Sequence, residues 1–395
     1  MIRQILILIG GFFALITLPG SFELLLLTVA GMFPRRKTVR PAAAAAYRLA
    51  VVVPAHNEEL HIARCVKSLL AAARGPVDLG VIVIADNCTD LTASIASDAG
   101  ARVLVRTNTI ERGKGFALDF AFRALVAEGW NAFAVVDADS QVDANFLTEL
   151  TAPLLAGAAA VQCRYVVGNA RESIRTRLMK VANSAFNVLR PRGRERCGLS
   201  AGIYGNGFAL AAETLIDVPY TASSLVEDLE YHLALIDAGK RVRFVDTTSV
   251  YGDMPVAGAG VNTQRTRWEG GRFRMLREKT PRLLGKILAG RLSFLEPCLD
   301  LLLQPLAFHV CFLLIAAATP FWPIRAVALA GLAVVVLHLA AAIAVTGGGL
   351  QDIAALLAAP FYIVWKILLI PRLAKSARAK SAWTRTERAP QRNLP

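Results

Sequence analysis

Phe133-Ala134-Val135-Val136-Asp137-Ala138-Asp139 is an apolar run that stops abruptly at two acids one residue apart. The run reads as a strand buried on both faces. Its C-terminal end would deliver carboxylates into the crevice where open α/β sheets bind ligands. Carboxylates at i and i+2 of a strand point to opposite faces, so both serve one site only if the strand has already ended; Ser140 and Asp143 supply the turn. An oxygen-only pair of this kind suits a hard divalent cation such as Mg2+ or Mn2+. The competing reading is a plain turn in which Asp143 caps a helix over residues 144–154.

The same grammar repeats on either side. Residues 49–53 are apolar and run into Pro54-Ala55-His56-Asn57-Glu58-Glu59, where Pro54 stops the ladder and Asn57 can cap a helix carrying Ile62, Cys65, Val66, Leu69 and Leu70 on one face. Residues 81–85 end in Asp86-Asn87-Cys88-Thr89-Asp90. Residues 101–105 make a third strand, Arg112-Gly113-Lys114-Gly115 opens a helix over 116–128, and a further strand over 158–161 leads into Gln162. Strands alternating with helices at this spacing predict βαβ units and an α/β class with a mainly parallel sheet. One edge of that sheet would gather Glu58, Asp86, Lys114, Asp137 and Asp139. Caps and turns explain each of these singly, but five on one edge poorly.

The chain has 395 residues, room for more than one domain, and is 55% hydrophobic with a mean hydropathy of +0.46, too apolar for an ordinary soluble enzyme. Lys and Arg outnumber Asp and Glu by 44 to 30, a formal charge of +14. The basic residues cluster at 35–40, 171–196, 265–291 and 372–392, beside apolar segments and without an aromatic-interleaved basic module, which points to anionic membrane lipids and away from nucleic acid. Six scattered cysteines form no C-x-x-C pair, so no zinc site or disulfide framework is indicated, and they read as core residues in a reducing compartment.

Residues 5–32 are long and apolar enough to span a bilayer. The lack of an A-x-A-like site and the following Arg35-Arg36-Lys37 favour an anchor over a signal peptide, with Pro19-Gly20 leaving a kink or shallow hairpin open. Residues 281–295 mix leucines with Arg282, Lys286 and Arg291, as expected of an interface helix, and 299–318, 324–345 and 353–370 are spanning candidates. If the catalytic domain and the basic tail share a side, an even number must cross after residue 297. Residues 353–370, interrupted by Pro360 and Lys366, are the segment expected to be re-entrant or interfacial. The domain plan is an anchor and basic flank (1–40), a cytoplasmic catalytic domain (41–260) entered through an alanine linker at 42–46, an interface segment (261–297), a transmembrane region (298–371) and a basic tail (372–395).

Pro54-x-His56-x-Glu58, Asp86, Lys114-Gly115-x-Ala117-Leu118, Asp137-x-Asp139, Gly205-Asn206-Gly207-Phe208, Glu227-Asp228 and Gln264-Arg265-Thr266-Arg267-Trp268 stand in this order. From Leu49 to Gly271 they resemble the family 2 glycosyltransferases, specifically the membrane-embedded branch of hyaluronan, chitin and cellulose synthases. The resemblance implies an A-type glycosyltransferase fold, an NDP-sugar donor expected to be UDP-linked, Mg2+ or Mn2+, and inversion at the anomeric carbon. It also implies a multi-pass protein of a bacterial-type inner membrane with a cytoplasmic catalytic domain. Carried over, Pro54, His56 and Glu58 match the P-x-Y-N-E stretch that frames the nucleotide base, with His56 in place of tyrosine. Asp86 matches the acid that contacts the base, Lys114 the lysine of K-G-x-A-L, Asp137 and Asp139 the metal-binding D-x-D, and Asp228 the general base of the E-D pair. Gln264, Arg267 and Trp268 fit Q-x-x-R-W, and the loop at Gly205 resembles the one lining the acceptor side.

The chemistry needs these residue types. A departing nucleoside diphosphate must be neutralised, by a cation on Asp137 and Asp139 with Arg267 and Lys114 sharing the charge. The acceptor hydroxyl must lose a proton, and a carboxylate in reach supplies about 10²- to 10⁴-fold. For Asp228 the competing reading is a helix-start acid beside Ser224, Glu227 and Glu230; for Trp268, an interface residue. The eight basic residues between Arg171 and Arg196 read equally as a solvated helix face or a surface for anionic lipid or a pyrophosphate-bearing acceptor. His61, His232, His309 and His338 have no metal-ligand spacing. The acceptor is expected to be lipid-linked or a glycan, in single additions or by a processive polysaccharide synthase, with ceramide-type lipid glycosylation a neighbouring possibility. The rival from another class is a non-catalytic membrane scaffold retaining the fold. A sugar nucleotidyltransferase would need a glycine-rich phosphate loop after the first strand, where Pro54–Glu59 stands instead.

Overall fold

A computed structural model of the chain describes residues 1–33, 47–73, 75, 77–221, 226–256 and 259–371, without the side chains of 259, 260, 263 and 267. The basic runs at 35–40 and 372–392, the linker 42–46 and Ser224 lie outside the described residues.

In chain order the elements are α1 (Ile2–Met32), β1 (Tyr47–Ala55), α2 (Ile62–Ala71), β2 (Val77–Asp86), α3 (Thr92–Asp98), β3 (Arg102–Arg106), α4 (Lys114–Val126), β4 (Ala132–Val135), β5 (Gln141–Val142), α5 (Phe146–Leu155) and β6 (Ala160–Val167). Next come α6 (Ile174–Ser184), a π turn (Ala185–Leu189), α7 (Arg190–Arg196), β7 (Phe208–Ala211), α8 (Ala212–Asp217), α9 (Glu227–Asp237) and β8 (Val242–Gly252). The remainder is helical: α10 (Ala259–Leu288), α11 (Leu295–Leu302), α12 (Leu306–Ala317), α13 (Trp322–Val345), α14 (Leu350–Ala355) and α15 (Ala359–Leu368). These elements form two compact units.

Among the described residues the first unit holds eight strands in one sheet, ordered β3-β2-β1-β4-β7-β6-β8-β5. β1 pairs in parallel with β2 and β4, and β2 with β3, as the alternating pattern predicts. Beyond β4 the sheet turns mixed, with β7 antiparallel to β4 and β6, and β6 parallel to β8. The apolar runs are buried on both faces. Leu49, Val51 and Val53 join α2 in one layer, while Ala50 and Val52 join α4 in the other, and Ala134 and Val135 divide in the same way. Each fully buried Val or Leu stabilises by about 1.5–3 kcal/mol, so neither face can be given up to water. Pro54 does not end β1. It pairs with Ile84 of β2, beyond the last residue at which β4 runs alongside, so its missing N–H deprives no ladder bond on that side.

The second unit gathers α1, α6, the π turn, α7 and α10–α15. Arg171–Leu199, expected within the catalytic domain, packs here. α1 is one helix with Pro19 inside it, so the hairpin alternative is not adopted. Its Gly31 and the Gly193 of α7 allow close backbone approach, since a methyl group at Gly193 would lie 2.3 Å from the Leu27 carbonyl oxygen. At this crossing Arg190 Nη2 donates to Glu23 Oε1 at 2.6 Å and Arg194 Nη2 to Asp300 Oδ1 at 2.6 Å. Arg194 also binds Glu296, and Arg272 binds Asp300 at 3.2 Å. Arg190 and Arg194 are buried, which fits neither the solvated-face nor the lipid-surface reading for those two residues.

Ile2–Met32, Trp322–Val345 and Leu350–Leu368 are long and apolar enough to cross a membrane. The span expected at 299–318 is broken. α11 and α12 meet at 76°, at Gln304-Pro305, where proline lacks a helical donor and biases the residue before it away from helix.

Candidate active site

The site residues of the sheet unit follow the C-terminal ends of its parallel strands. The strand order places β1 beside β4, which diverge into neighbouring crossovers, so the crevice of a doubly wound sheet falls between them. Pro54, His56 and Glu58 lie at the end of β1, Asp86 at the end of β2, and Asp137 and Asp139 just past β4.

At the β1–β2 corner, Arg106 Nη1 donates to Asp86 Oδ1 at 2.7 Å in a pair almost wholly withdrawn from water. Asn87 Nδ2 donates to the same oxygen at 3.0 Å, and His56 Nδ1 lies 2.7 Å from the Asp86 carbonyl oxygen. Asn57 and Asn87 adopt left-handed backbone conformations, φ +56° and +50°, which asparagine tolerates better than most residues. Asn57 is not the helix cap expected of it. Its side chain accepts from Thr89 N at 2.8 Å and donates to Thr89 Oγ1 at 3.2 Å, and α2 starts after His61. Two strand-end loops are thereby stitched together.

The D-x-D turn is built as the sequence requires. Ser140 N donates to Asp137 O at 3.0 Å, so the strand has ended before the second acid. Asn206 holds the turn from across the sheet, its Oδ1 accepting from Asp137 N at 3.1 Å and its Nδ2 donating to Ser140 Oγ at 2.9 Å. Ser140 Oγ in turn donates to Asp139 Oδ1 at 3.3 Å. Asp143 does not cap α5, whose N-cap is Asn145; it accepts from Tyr251 Oη at 2.9 Å. Cys65 Sγ approaches Asp137 O at 3.5 Å, and burial pushes this thiol up to about 12.

The 205–207 loop is tied to Gln162 of β6 and to Lys114 of α4. Gln162 Nε2 donates to the carbonyl oxygens of Asn206 and Gly207 at 2.7 and 3.2 Å, while its Oε1 accepts from Tyr204 N at 3.0 Å. Gly207 has φ +70°, and a methyl group there would meet Val250 Cγ1 at 2.5 Å and Cys163 Sγ at 2.6 Å, so only glycine fits. Lys114 reaches in from the first residue of α4 and binds both Asp137 Oδ1 and the Gly205 carbonyl oxygen. A methyl group at Gly205 would lie 3.7 Å from Lys114 Nζ and 3.6 Å from Asp228 Oδ2, so that glycine is flanked by both charges.

Asp228 is the second residue of α9. Desolvation raises its carboxyl above the usual range, opposed by the Leu229 N–H at 2.8 Å and by Lys114, with the Asp137 charge adding to the rise. Lys114, Asp137 and Asp228 thus share one field, with Asp139 tied to them through Ser140 and Asn206. Gln264 and Trp268 lie on α10 in the helical unit, Gln264 buried and Trp268 with Arg265 5.8 Å from its ring. The Arg267 side chain lies outside the described residues.

Residues 50–215 match the profile of glycosyl transferase family 2. The chain carries a family 2 glycosyltransferase domain. It is 25% identical over 233 residues to the probable glycosyltransferase YdaM of Bacillus subtilis, covering 57% of this chain and 55% of that protein. It is 27% identical over 237 residues to the beta-monoglucosyldiacylglycerol synthase of a Nostoc species, covering 58% and 50%. The chain therefore spans about half the length of these curated relatives. Among solved structures, the mannosyltransferase PcManGT of Pyrobaculum calidifontis, in complex with GDP-Man and Mn2+, matches with a TM-score of 0.55 at 18% identity, over 95% of this chain and 100% of that one. The fold is that of an A-type glycosyltransferase, as the motifs led us to expect.

The donor set past β4 fits a hard cation, since Asp137 and Asp139 offer carboxylate oxygens only and Asp137 is about one-third exposed. Glu23, Glu296 and Asp300 also bring oxygens within 4.8 Å of one another, a spacing a cation could bridge. Arg190, Arg194 and Arg272 already supply three positive charges to those acids. Arg106, Asn87 and Ser140 were not singled out as site residues from the sequence. An arginine closing the strand beside an acid-terminated one is the signal that could have found Arg106.

His232 and Ser200 bond at 2.8 Å, His309 and Ser21 at 3.1 Å, and His338 and Thr28 at 2.7 Å, so each of these histidines has a hydroxyl partner on one ring nitrogen. All six cysteines are free thiols.

Proposed function

We propose that the protein is an inverting hexosyltransferase that moves a sugar from an NDP-sugar, with UDP the expected nucleotide, to a membrane-associated acceptor in the synthesis of a surface glycolipid or polysaccharide. The observation that carries this is the convergence of Lys114, Asp137 and Asp228 on Gly205, at the edge where Asp86 and His56 also stand. Asp86, held by Arg106, presents a carboxylate to a base N–H, and His56 offers a ring to stack on. Mg2+ or Mn2+ held by Asp137 and Asp139 would offset the charge of the departing diphosphate. Lys114 adds a further positive charge.

Asp228 accepts the proton of the acceptor hydroxyl as its oxygen bonds to the anomeric carbon. The bond from that carbon to the diphosphate breaks on the opposite side. A carboxyl whose affinity for protons is raised by burial is a stronger base than an ordinary aspartate, which suits an alcohol acceptor. The resemblance gives Gln264, Arg267 and Trp268 a part in binding the nucleotide sugar. The domain faces the cytoplasm, and α1 anchors it. The glucosyldiacylglycerol product named for the Nostoc relative supports a lipid acceptor taking single additions.

The test incubates membranes carrying the protein with a panel of labelled UDP- and GDP-sugars. Label passing from one donor into the lipid extract, and lost on chelation, is expected. Label in long polymer alone would replace single addition by processive synthesis, and no transfer from any donor would favour the scaffold reading.

A further inference from the structure

The stretch Leu350–Leu368 is apolar and long enough to cross a bilayer, yet both of its ends are tied to charged helices. Near its start, Lys180 Nζ of α6 donates to Asp352 Oδ2 at 2.8 Å, and Arg177 of α6 binds Gln351. In the middle, Tyr362 Oη lies 3.6 Å from Met179 Sδ, again on α6. Near its end, Lys366 Nζ meets Glu269 Oε1 of α10 at 2.5 Å, both side chains buried. α6 and α10 touch each other through Arg265 Nη2 and Met179 Sδ, 2.9 Å apart.

Neither helix can lie in hydrocarbon. α6 carries Arg175, Arg177 and Lys180 within eleven residues, and α10 carries charges along its whole length. The two anchors, Asp352 and Lys366, are fourteen residues apart, about 21 Å along a helix. A spanning helix would place such points at opposite depths, whereas here both rest on one pair of mutually contacting polar helices.

The outward face is of the opposite character. Leu350, Ile353, Leu357, Phe361, Val364 and Leu368 are all more than half exposed, and their spacing of three and four residues puts them on one stripe. The chain beyond it, residues 372–395, contains seven basic residues and one acid. An exposed apolar stripe continued by positive charge matches a leaflet surface with anionic headgroups.

We propose that Leu350–Leu368 lies flat in the membrane surface, its stripe in the lipid and its anchored face on α6 and α10, and does not cross. The crossings after residue 291 are then the bent pair α11–α12 and α13, an even number. The helix carrying Gln264 and Trp268 is consequently one ion pair, Glu269–Lys366, away from the lipid surface.

The test needs no transferase activity. The full-length protein is reconstituted in phosphatidylethanolamine–phosphatidylglycerol vesicles, with a nitroxide carried on an unnatural ketone side chain at each stripe position in turn, leaving the native thiols intact. Depth is read from relaxation by oxygen and by a water-soluble nickel complex. A surface helix predicts six similar shallow depths, about 5–10 Å into the leaflet. Depth that rises toward Leu357 and Phe361 and falls again, following the rise of about 1.5 Å per residue, would overturn the proposal. So would labels that oxygen cannot reach, which would mean the stripe is covered by protein.

Discussion

The two units handle charge in opposite ways. In the helical unit two buried arginines and the partly buried Arg272 meet three buried acids, and each carboxylate has a guanidinium within hydrogen-bonding reach. At the sheet edge Lys114, Asp137 and Asp228 meet with two acids to one base, and Lys114 and Asp137 are partly open to solvent. A neutralised buried cluster fixes how helices cross. An unbalanced, accessible one has capacity left for a ligand and a proton. On the proposed function, identical side chains serve architecture in one region and chemistry in the other.

Variants can break this contrast. Arg190→Met leaves buried carboxylates short of a partner, and loss of one member of such a cluster costs about 3–5 kcal/mol. The unfolding midpoint in detergent should fall sharply while nucleotide-sugar binding by folded protein is unchanged; an unaltered midpoint would deny the cluster its structural role.

Arg106→Gln sits between the two cases, because the buried Asp86 pair belongs to the proposed site. Replacing the charged donor by a neutral one should cost about 1.5–3 kcal/mol and also raise the donor KM, seen in unfolding and in kinetics on the same preparation. A stability change with no effect on KM would detach Asp86 from the nucleotide. Asp139→Ala should leave the fold in place and weaken metal-dependent donor binding by at least the roughly 10–100-fold that loss of an outer-shell partner costs, as measured by calorimetry with and without chelator.

The smallest effect concerns pH. As the proposed base Asp228 must be an anion, so turnover at saturating donor should fall as pH drops through its raised value. Lys114→Gln removes a charge that lowers that value, and the acid limb should move to higher pH. A limb that moves down, or stays put, would show that Lys114 does not act on Asp228.

The strands were legible because runs such as 49–53 and 133–136 are buried on both faces and leave an uninterrupted apolar signature. The strand-end acids were legible for the same reason, since polarity begins where the sheet stops. The loops were less so. Asn57 looked like a cap and instead holds Thr89 from a left-handed conformation, a choice made by the neighbouring loop and not by its own sequence. Arg190 and Arg194 looked like surface charge because their partners, Glu23, Glu296 and Asp300, are more than one hundred residues away. The break at Gln304-Pro305 was written in the sequence, but the apolar residues on either side masked it.

The central claim is that Asp228 does chemistry while the buried helical acids do architecture, and matched amide substitutions test it. Single-turnover transfer per folded molecule should be measured for Asp228→Asn and Asp300→Asn beside the wild type. Asp228→Asn should lose about 10²- to 10⁴-fold in rate while still binding donor. It should also unfold at a higher temperature at neutral pH, because a buried carboxylate with a raised pKa costs stability once ionised. Asp300→Asn should lower the folded fraction and leave the rate of the folded molecules unchanged. A wild-type rate in Asp228→Asn, or equal losses in the two variants, would contradict the account.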